Sequence, residues 1–184
     1  MGKRLTLVLG GARSGKSDFA QALARKRGSD AALFVATAEA GDGEMRVRIE
    51  AHRAARPAAW QTLEAPRKIA RALESAVQAR VIVVDCITLW VSNVLLAEES
   101  NAQETMTREI DDLITWYRAN DAGMILVSNE VGMGLVPDNE LGRAYRDLLG
   151  AVNKELAEHA DDVFLLVAGL PVEIKARSAR LDNL

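Results

Sequence analysis

The sequence predicts an α/β fold in three layers, with a mostly parallel sheet between helices and an antiparallel hairpin at one sheet edge. Its β-rich runs are continuously apolar rather than alternating, which is typical of strands buried on both faces of a parallel sheet. Segments with helical spacing of apolar residues separate these runs, as in proteins built from alternating strands and helices. The last two runs are too close together for a parallel crossover, so we expect a hairpin there.

The elements follow one another along the whole chain. Predicted strands cover residues 5–9, 32–36, 81–85, 124–128 and 163–167, with 172–174 as a candidate sixth. Predicted helices cover residues 18–27, 44–56, 67–80, 103–120 and 139–160. Gly169, Leu170 and Pro171 separate the two strands of the hairpin, and we expect the polar end at 176–184 to fray.

Length and composition limit the class of protein. A chain of 184 residues predicts a single domain, 1–184, and 49% apolar with 27% charged residues excludes a disordered chain. No apolar stretch approaches the roughly 20 residues of a membrane helix. One cysteine and two histidines cannot form a disulfide or a structural zinc cluster. With no secretory signal at the N-terminus, we expect a cytoplasmic protein.

The charge distribution favours an anionic ligand. The net charge is −3, and no polybasic run indicates a nucleic-acid partner. Residues 1–57, however, carry 11 Lys/Arg against 6 Asp/Glu, whereas the remainder carries 12 against 20. The first third of the chain is therefore the part suited to binding an anion.

A phosphate-binding motif lies between the first predicted strand and the first predicted helix. It fits G-x-x-x-x-G-K-[ST] and consists of Gly10, Gly11, Ala12, Arg13, Ser14, Gly15, Lys16 and Ser17. Its backbone N–H groups can cradle phosphates, Lys16 can reach the β- and γ-oxygens, and Ser17 can ligate Mg²⁺. Asp85, at the end of a strand, is the second expected Mg²⁺ ligand. We therefore predict a phosphate-loop NTPase-like fold that binds ATP or GTP.

A histidine flanked by arginines follows the second strand. Spacing of four places Arg48, His52 and Arg56 on one face of the predicted helix 44–56. The two guanidinium groups would keep the imidazole neutral and hold phosphates beside it, as a nitrogen nucleophile requires. From the residues alone, a structural or surface histidine among solvated arginines is the simpler interpretation.

Four motifs in fixed order cover nearly the whole chain. They are the phosphate loop, the segment from Ala36-Thr37-Ala38 through His52 to Glu64, the run Asp85-Cys86-Ile87-Thr88-Leu89-Trp90 with Asn93, and the segment from Ser128-Asn129-Glu130-Val131-Gly132-Met133-Gly134 through Tyr145-Arg146-Asp147 to Asn153. Together they resemble the bifunctional adenosylcobinamide kinase / adenosylcobinamide-phosphate guanylyltransferase family. Three of the four are not general to phosphate-loop proteins, which makes the resemblance specific.

The resemblance implies a two-step enzyme acting on adenosylcobinamide. A nucleoside triphosphate phosphorylates this substrate, and GMP from GTP then passes through a guanylylated His52 to adenosylcobinamide phosphate. By position, the nucleotide contacts beyond the phosphate loop are Ala36, Thr37, Ala38, Arg53, Ala54, Ala55, Arg56, Glu64 and Asp85. Glu64 would accept hydrogen bonds from guanine. The resemblance also implies a homotrimer.

Other interpretations remain open at this point. The chain could be a plain small-molecule kinase in which His52 is structural, or a nucleotide-dependent switch or assembly ATPase with protein partners. The triad of polar residues Ser128, Asn129 and Glu130 after the fourth strand could line the nucleotide crevice or serve capping and turn chemistry. Four further residues are expected to be outside the chemistry: core residues Trp60 and Trp90, a small buried Cys86, and an exposed His159.

Overall fold

The computed structural model describes residues 2–27, 31–39, 56–76 and 79–179, and these contain one seven-stranded sheet in the order β3-β2-β4-β5-β1-β6-β7. The strands are β1 Leu5–Gly10, β2 Leu33–Ala36, β3 Gln61–Glu64, β4 Val81–Asp85, β5 Gly123–Val127, β6 Asp162–Val167 and β7 Leu170–Glu173. All neighbouring strands run parallel except β6 and β7, which are antiparallel. The predicted fold class is confirmed.

Helices cover both faces of the sheet. They are α1 Lys16–Lys26, α2 Ile69–Glu74, α3 Ile87–Ala97, α4 Ala102–Ala119 and α5 Glu140–His159, with a short 3₁₀ helix, Glu99–Asn101, between α3 and α4. Ala20 and Ala24 of α1 pack on one face, which we call the α1 face, and α2 to α5 pack on the other. None of the described helices combines the length and apolarity that a bilayer crossing requires.

Two elements were missing from the sequence prediction. Strand β3 lies at the sheet edge, where no residue is fully buried, so it lacks the continuous apolar run of an inner strand. Helix α3 is apolar on most sides, with Ile87, Trp90, Val91 and Val94 buried, so it lacks the amphipathic pattern of a surface helix. The predicted helix 67–80 was too long, because the observed α2 ends at Glu74. The predicted helix 44–56 lies outside the described residues except for Arg56.

The edge hairpin forms as predicted, but its turn is placed differently. The two turn residues are Ala168 and Gly169, with φ of 51° and 81°, and Leu170 already pairs with Val167. Two positive φ angles give a turn whose twist suits the flanking strands. Pro171 therefore lies within β7, where an edge strand tolerates a residue without an N–H donor. The predicted turn at Gly169-Leu170-Pro171 was wrong, because the observed turn begins one residue earlier and ends two residues earlier.

Candidate nucleotide site

The carboxyl ends of five strands lie side by side in the sheet. Glu64 pairs with Ala36, Ala36 with Asp85, Asp85 with Val127, and Val127 with Val8. Paired residues in a sheet project to the same face, and Ala36, Val127 and Val8 all belong to the core under α1. This line of residues, the strand-end row, thus places the Glu64 and Asp85 side chains on the α1 face. Strand spacing of about 4.8 Å separates Glu64 from β1 by about 19 Å.

The phosphate loop follows β1 and leads directly into α1. Gly10 has φ of 154°, and a Cβ there would lie 2.6 Å from the Leu166 carbonyl oxygen and from Ser14 Oγ. Gly15 adopts the left-handed conformation, φ 88°, immediately before the first residue of α1. Only glycine fits both demands, because a side chain clashes at the first and is strained at the second. The motif glycines therefore shape the loop that connects strand to helix.

The edge hairpin contacts this loop from outside. Gly169 N donates to the Ser14 carbonyl at 3.0 Å, and a Cβ on Gly15 would meet Gly169 Cα at 3.4 Å. The β6–β7 turn is thus in direct contact with the phosphate loop.

Lys16 lies with its ammonium group inside the loop. The side chain is buried, and Nζ donates to the Gly11 carbonyl at 2.5 Å and to Ser14 Oγ at 3.4 Å. Burial lowers the pKa of Lys16, while the nearby Asp85 carboxylate opposes this shift. A phosphate in the loop would give this desolvated cation oxygen partners of opposite charge.

Two residues with oxygen ligands suited to Mg²⁺, Ser17 and Asp85, flank Lys16: Ser17 follows it in α1, and the Asp85 carboxylate acts on its pKa. Ser17 is the second residue of α1, and Asp85 ends β4 at a half-buried position. Within the described ranges, no group of three or more His, Cys, Asp or Glu side chains could hold a metal by itself. One hydroxyl and one carboxylate are the few protein ligands that Mg²⁺ takes when phosphates and waters complete its shell. The residues present therefore fit magnesium bound together with a nucleotide.

Thr37 ties the ends of β2 and β4 together. Its buried hydroxyl donates to the Cys86 carbonyl at 2.7 Å and accepts from Cys86 N at 2.8 Å. Asn93 Nδ2 then donates to the Thr37 carbonyl at 2.8 Å and to the Pro66 carbonyl at 3.0 Å. The Thr37 hydroxyl thus holds the strand ends in place. Its neighbours in the predicted nucleotide contact are the buried Ala36 and half-buried Ala38.

Arg56 lies against the α1 face near Glu64. Its guanidinium carbon is 3.5 Å from the centroid of the Phe34 ring, and Nη1 donates to Thr62 Oγ1 at 3.1 Å. Phe34 and Thr62 are paired residues of β2 and β3, and Thr62 precedes Glu64 by two positions on the same face. The predicted residues Arg48, His52, Arg53, Ala54 and Ala55 lie outside the described residues. Arg56 itself therefore lies near Glu64 on the α1 face.

The structure agrees with the expectations for Trp60, Trp90 and His159, whereas Cys86 is half-buried rather than buried. Trp90 is fully buried and donates through Nε1 to Glu109 Oε2 at 2.6 Å, and Trp60 is 7% exposed in the core under α1. Burial, with a contribution from Asp85, raises the pKa of the Cys86 thiol to about 11, which keeps the thiol neutral. His159 is exposed at the end of α5.

Sequence reasoning gave no role to Asn93 or Glu109. Glu109 accepts from Trp90 Nε1 and from Lys68 N, at 2.8 Å, and so fixes the segment after Glu64 to α3 and α4. Asn93 belonged to a recognised motif, but its two carbonyl partners are 27 and 56 residues away. Only a charged residue at a core position of the predicted helix 103–120 could have indicated Glu109.

The parallel sheet and the strand–loop–helix with its phosphate-binding motif define a phosphate-loop nucleotide-binding protein. Solved structures of the same fold include the RadB recombinase, with a TM-score of 0.54 and 17% identity, covering 89% of this chain and 74% of that one. The flagellar accessory protein FlaH from Methanocaldococcus jannaschii matches with a TM-score of 0.51 and 15% identity over 92% of this chain and 75% of that one. At this identity the likeness concerns the fold alone.

The family is more specific. The family model for CobU, cobinamide kinase / cobinamide phosphate guanyltransferase, matches residues 6–174, and the chain belongs to this family. The bifunctional adenosylcobalamin biosynthesis protein CobP of Pseudomonas aeruginosa is 46% identical over 92% of this chain and 96% of its own length. The corresponding CobU proteins of Salmonella typhimurium and Escherichia coli are 41% and 37% identical, each over 93% of this chain and 99% of its own length.

Proposed function

We propose that this enzyme phosphorylates adenosylcobinamide with ATP or GTP and then transfers GMP from GTP to the resulting phosphate. The second step passes through a guanylylated His52 and yields adenosylcobinamide-GDP and pyrophosphate. The observation that supports it best is the strand-end row, which brings the phosphate loop, Asp85 and Glu64 to one edge of the sheet and one face. The two reactions are those named for the family to which the chain belongs, and the arrangement of the site is suited to both.

The first step is a phosphoryl transfer at the phosphate loop. The loop N–H groups and Lys16 bind the β- and γ-phosphates, and Ser17 and Asp85 would hold Mg²⁺. When bound, this ion would neutralise part of the charge of the triphosphate. The substrate hydroxyl bonds to the γ-phosphorus, the bond to the β-γ bridging oxygen breaks, and the hydroxyl proton goes to solvent or a base. The buried ammonium of Lys16 offsets the charge of the leaving diphosphate.

The second step requires GTP, and Glu64 in the strand-end row is the residue that we assign to its guanine base. Glu64 is exposed, and within the described part of the chain no hydrogen bond engages its carboxylate. It can therefore accept from the N1–H and 2-amino groups of guanine, a pair of donors that adenine lacks. Because Glu64 and β1 lie about 19 Å apart, a nucleotide extended along the row would direct its phosphates toward the phosphate loop.

His52 is the nucleophile of the second step in this proposal. Its ring nitrogen bonds to the α-phosphorus of GTP and the bond to pyrophosphate breaks; the substrate phosphate then attacks the same phosphorus and releases the imidazole. Arg53 and Arg56 offset the charge that develops on the α-phosphoryl oxygens. The contacts of Arg56 with Phe34 and Thr62 support its part in this role, because they hold its guanidinium group on the face that carries Glu64.

Labelling of the protein with α-labelled GTP and Mg²⁺ tests the histidine. A phosphorus–nitrogen bond is acid-labile and base-stable, so the label should survive denaturation, be lost in mild acid and persist in base. His52→Ala should abolish labelling and guanylyl transfer but leave some kinase activity, since that step needs no histidine nucleophile. His159→Ala is the matched control and should label like the parent. Acid-labile GMP on the His52→Ala protein would refute the assignment.

Lys16→Ala tests whether one phosphate loop serves both reactions. Loss of its ammonium removes a charge-assisted contact to the triphosphate, so both rates should fall by more than about tenfold, equivalent to about 1.4 kcal/mol of transition-state stabilisation. Separate assays of phosphorylation and guanylyl transfer measure the two effects. Parental rates in both would show that the loop does not bind the reacting nucleotide.

A further inference from the structure

The chain after β5 continues its pairing with β1 for three more residues. Ser128 N donates to the Val8 carbonyl at 2.9 Å, and Glu130 N donates to the Gly10 carbonyl at 3.0 Å. Between them, Asn129 N donates to Thr88 Oγ1 at 2.9 Å, and the Asn129 carbonyl accepts from Asn153 Nδ2 at 3.0 Å. The backbone of Asn129 is therefore held by hydrogen bonds on both its donor and its acceptor.

This backbone places the Asn129 side chain in the nucleotide crevice. Val127 belongs to the core under α1, and alternation along an extended chain returns Asn129 to that face. Continuation of the register from Val127 and Val8 sets Asn129 opposite Gly10 of the phosphate loop. On its other side β5 pairs with β4, which ends at Asp85. Asn129 thus lies between the phosphate loop and the expected magnesium ligand.

Turn chemistry accounts for the two neighbours of Asn129 but not for Asn129 itself. Glu130 Oε1 accepts from Gly132 N at 2.7 Å, and the buried Ser128 hydroxyl lies 3.5 Å from the Asn129 carbonyl. The half-buried side-chain amide of Asn129 makes no hydrogen bond to any residue that the structure describes. A polar group is thus held beside the phosphate loop without a partner inside the described protein.

We propose that Asn129 binds the γ-phosphoryl group of the nucleotide. Its Nδ2 donates to a γ-phosphate oxygen from the β5 side, while Lys16 approaches from α1, and the two contacts orient phosphorus toward the substrate hydroxyl. This inference rests on the proposed function in one respect, which is that the phosphate loop holds a triphosphate. Because the backbone is fixed by Thr88 and Asn153, the amide requires little ordering when the nucleotide binds.

The test is the preference of the protein for a triphosphate over a diphosphate. Guanosine nucleotides with a methylene bridge between the α- and β-phosphorus cannot release GMP, so the tri- and diphosphate forms can be titrated with Mg²⁺ at equilibrium. Asn129→Ala should reduce the ratio of the two affinities by about tenfold, the effect of one hydrogen bond to a charged group. A folding defect would lower the affinities for the triphosphate and the diphosphate by the same factor and leave their ratio unchanged.

Two further variants sharpen the result. Asn129→Asp keeps the shape but removes the donor and adds a negative charge, so its preference for the triphosphate should fall at least as far as that of Asn129→Ala. Asn120→Ala, which removes another half-buried amide after the last residue of α4, should keep the parental ratio. An unchanged ratio in Asn129→Ala, or full preference in Asn129→Asp, would overturn the proposal. Absence of adenosylcobinamide phosphorylation by the parent would instead overturn the proposed function, and the binding ratio would still decide the role of Asn129.

Discussion

Gly10→Ala is expected to destabilise the protein through a clash inside the sheet. The new Cβ would lie 2.6 Å from the Leu166 carbonyl oxygen and 2.6 Å from Ser14 Oγ, whereas real Cβ contacts are essentially never below 3.0 Å. The Ser14 hydroxyl can rotate away. The Leu166 carbonyl cannot, because Leu166 is paired with Gly10 between β1 and β6.

The expected change in the free energy of unfolding of Gly10→Ala combines two destabilising effects and one small stabilising effect. Overpacking against a fixed backbone oxygen costs about 1–3 kcal/mol, and a non-glycine residue in a sparsely populated backbone conformation costs about 1–3 kcal/mol. Reduced entropy of the unfolded chain returns about 0.4–1 kcal/mol. The free energy of unfolding should therefore fall by about 3 kcal/mol, which at an m-value of about 2 kcal/mol/M lowers the urea midpoint by about 1.5 M.

Gly11→Ala is the matched control for urea unfolding. Its Cβ would have nothing within 4 Å, so this variant should unfold within about 0.5 kcal/mol of the parent. Equal stability of Gly10→Ala and Gly11→Ala would refute the steric argument. A fall in both by the same amount would refute it too, because it would indicate a general intolerance of the loop to side chains.

Two other residues give independent tests. Glu64→Gln leaves only one acceptor oxygen for guanine and should reduce kcat/KM for guanylyl transfer from GTP by about tenfold. The control Glu74→Gln, at an exposed position of α2, should leave kcat/KM unchanged. Equal transfer by Glu64→Gln and the parent would show that Glu64 does not bind guanine. The pKa of the Cys86 thiol is about 11 in the folded protein instead of 9.0, so at pH 8 its thiolate fraction is about one hundredth of the usual value. Alkylation of Cys86, measured by mass spectrometry, should therefore be about a hundredfold slower in the folded protein than in urea. Equal rates would contradict the raised pKa.

The local pattern predicted most of the fold because most elements carry a local signal. The inner strands are continuously apolar, and the long helices α4 and α5 show one apolar face, so their predicted ends lie within one residue of the observed ones. Strand β3 and helix α3 lack such signals. An edge strand has exposed positions that break the apolar run, and a helix buried on most sides has no polar face to set its period.

The site was predictable only in part, because the residues of one strand do not determine its pairing register with the neighbouring strands. The phosphate-binding motif carries its own chemistry, and Asp85 follows from its place at a strand end. Glu64, by contrast, entered through a family resemblance, and its strand was not recognised. Its alignment with Asp85 depends on two successive strand pairings that no local pattern specifies. The same holds for Asn93, whose partners Thr37 and Pro66 are distant in sequence.

The contact between Gly169 and the phosphate loop gives the edge hairpin an importance that its peripheral position conceals. The loop forms near residue 10, yet one of its carbonyls is held by an amide more than 150 residues later in the chain. The loop is thus braced from the far end of the polypeptide. Insertions are normally tolerated at exposed turns, but an insertion into this two-residue turn would displace the amide that contacts the phosphate loop. During synthesis, a nascent chain that ends before residue 168 contains the whole phosphate-binding motif but lacks the Gly169 amide that contacts it.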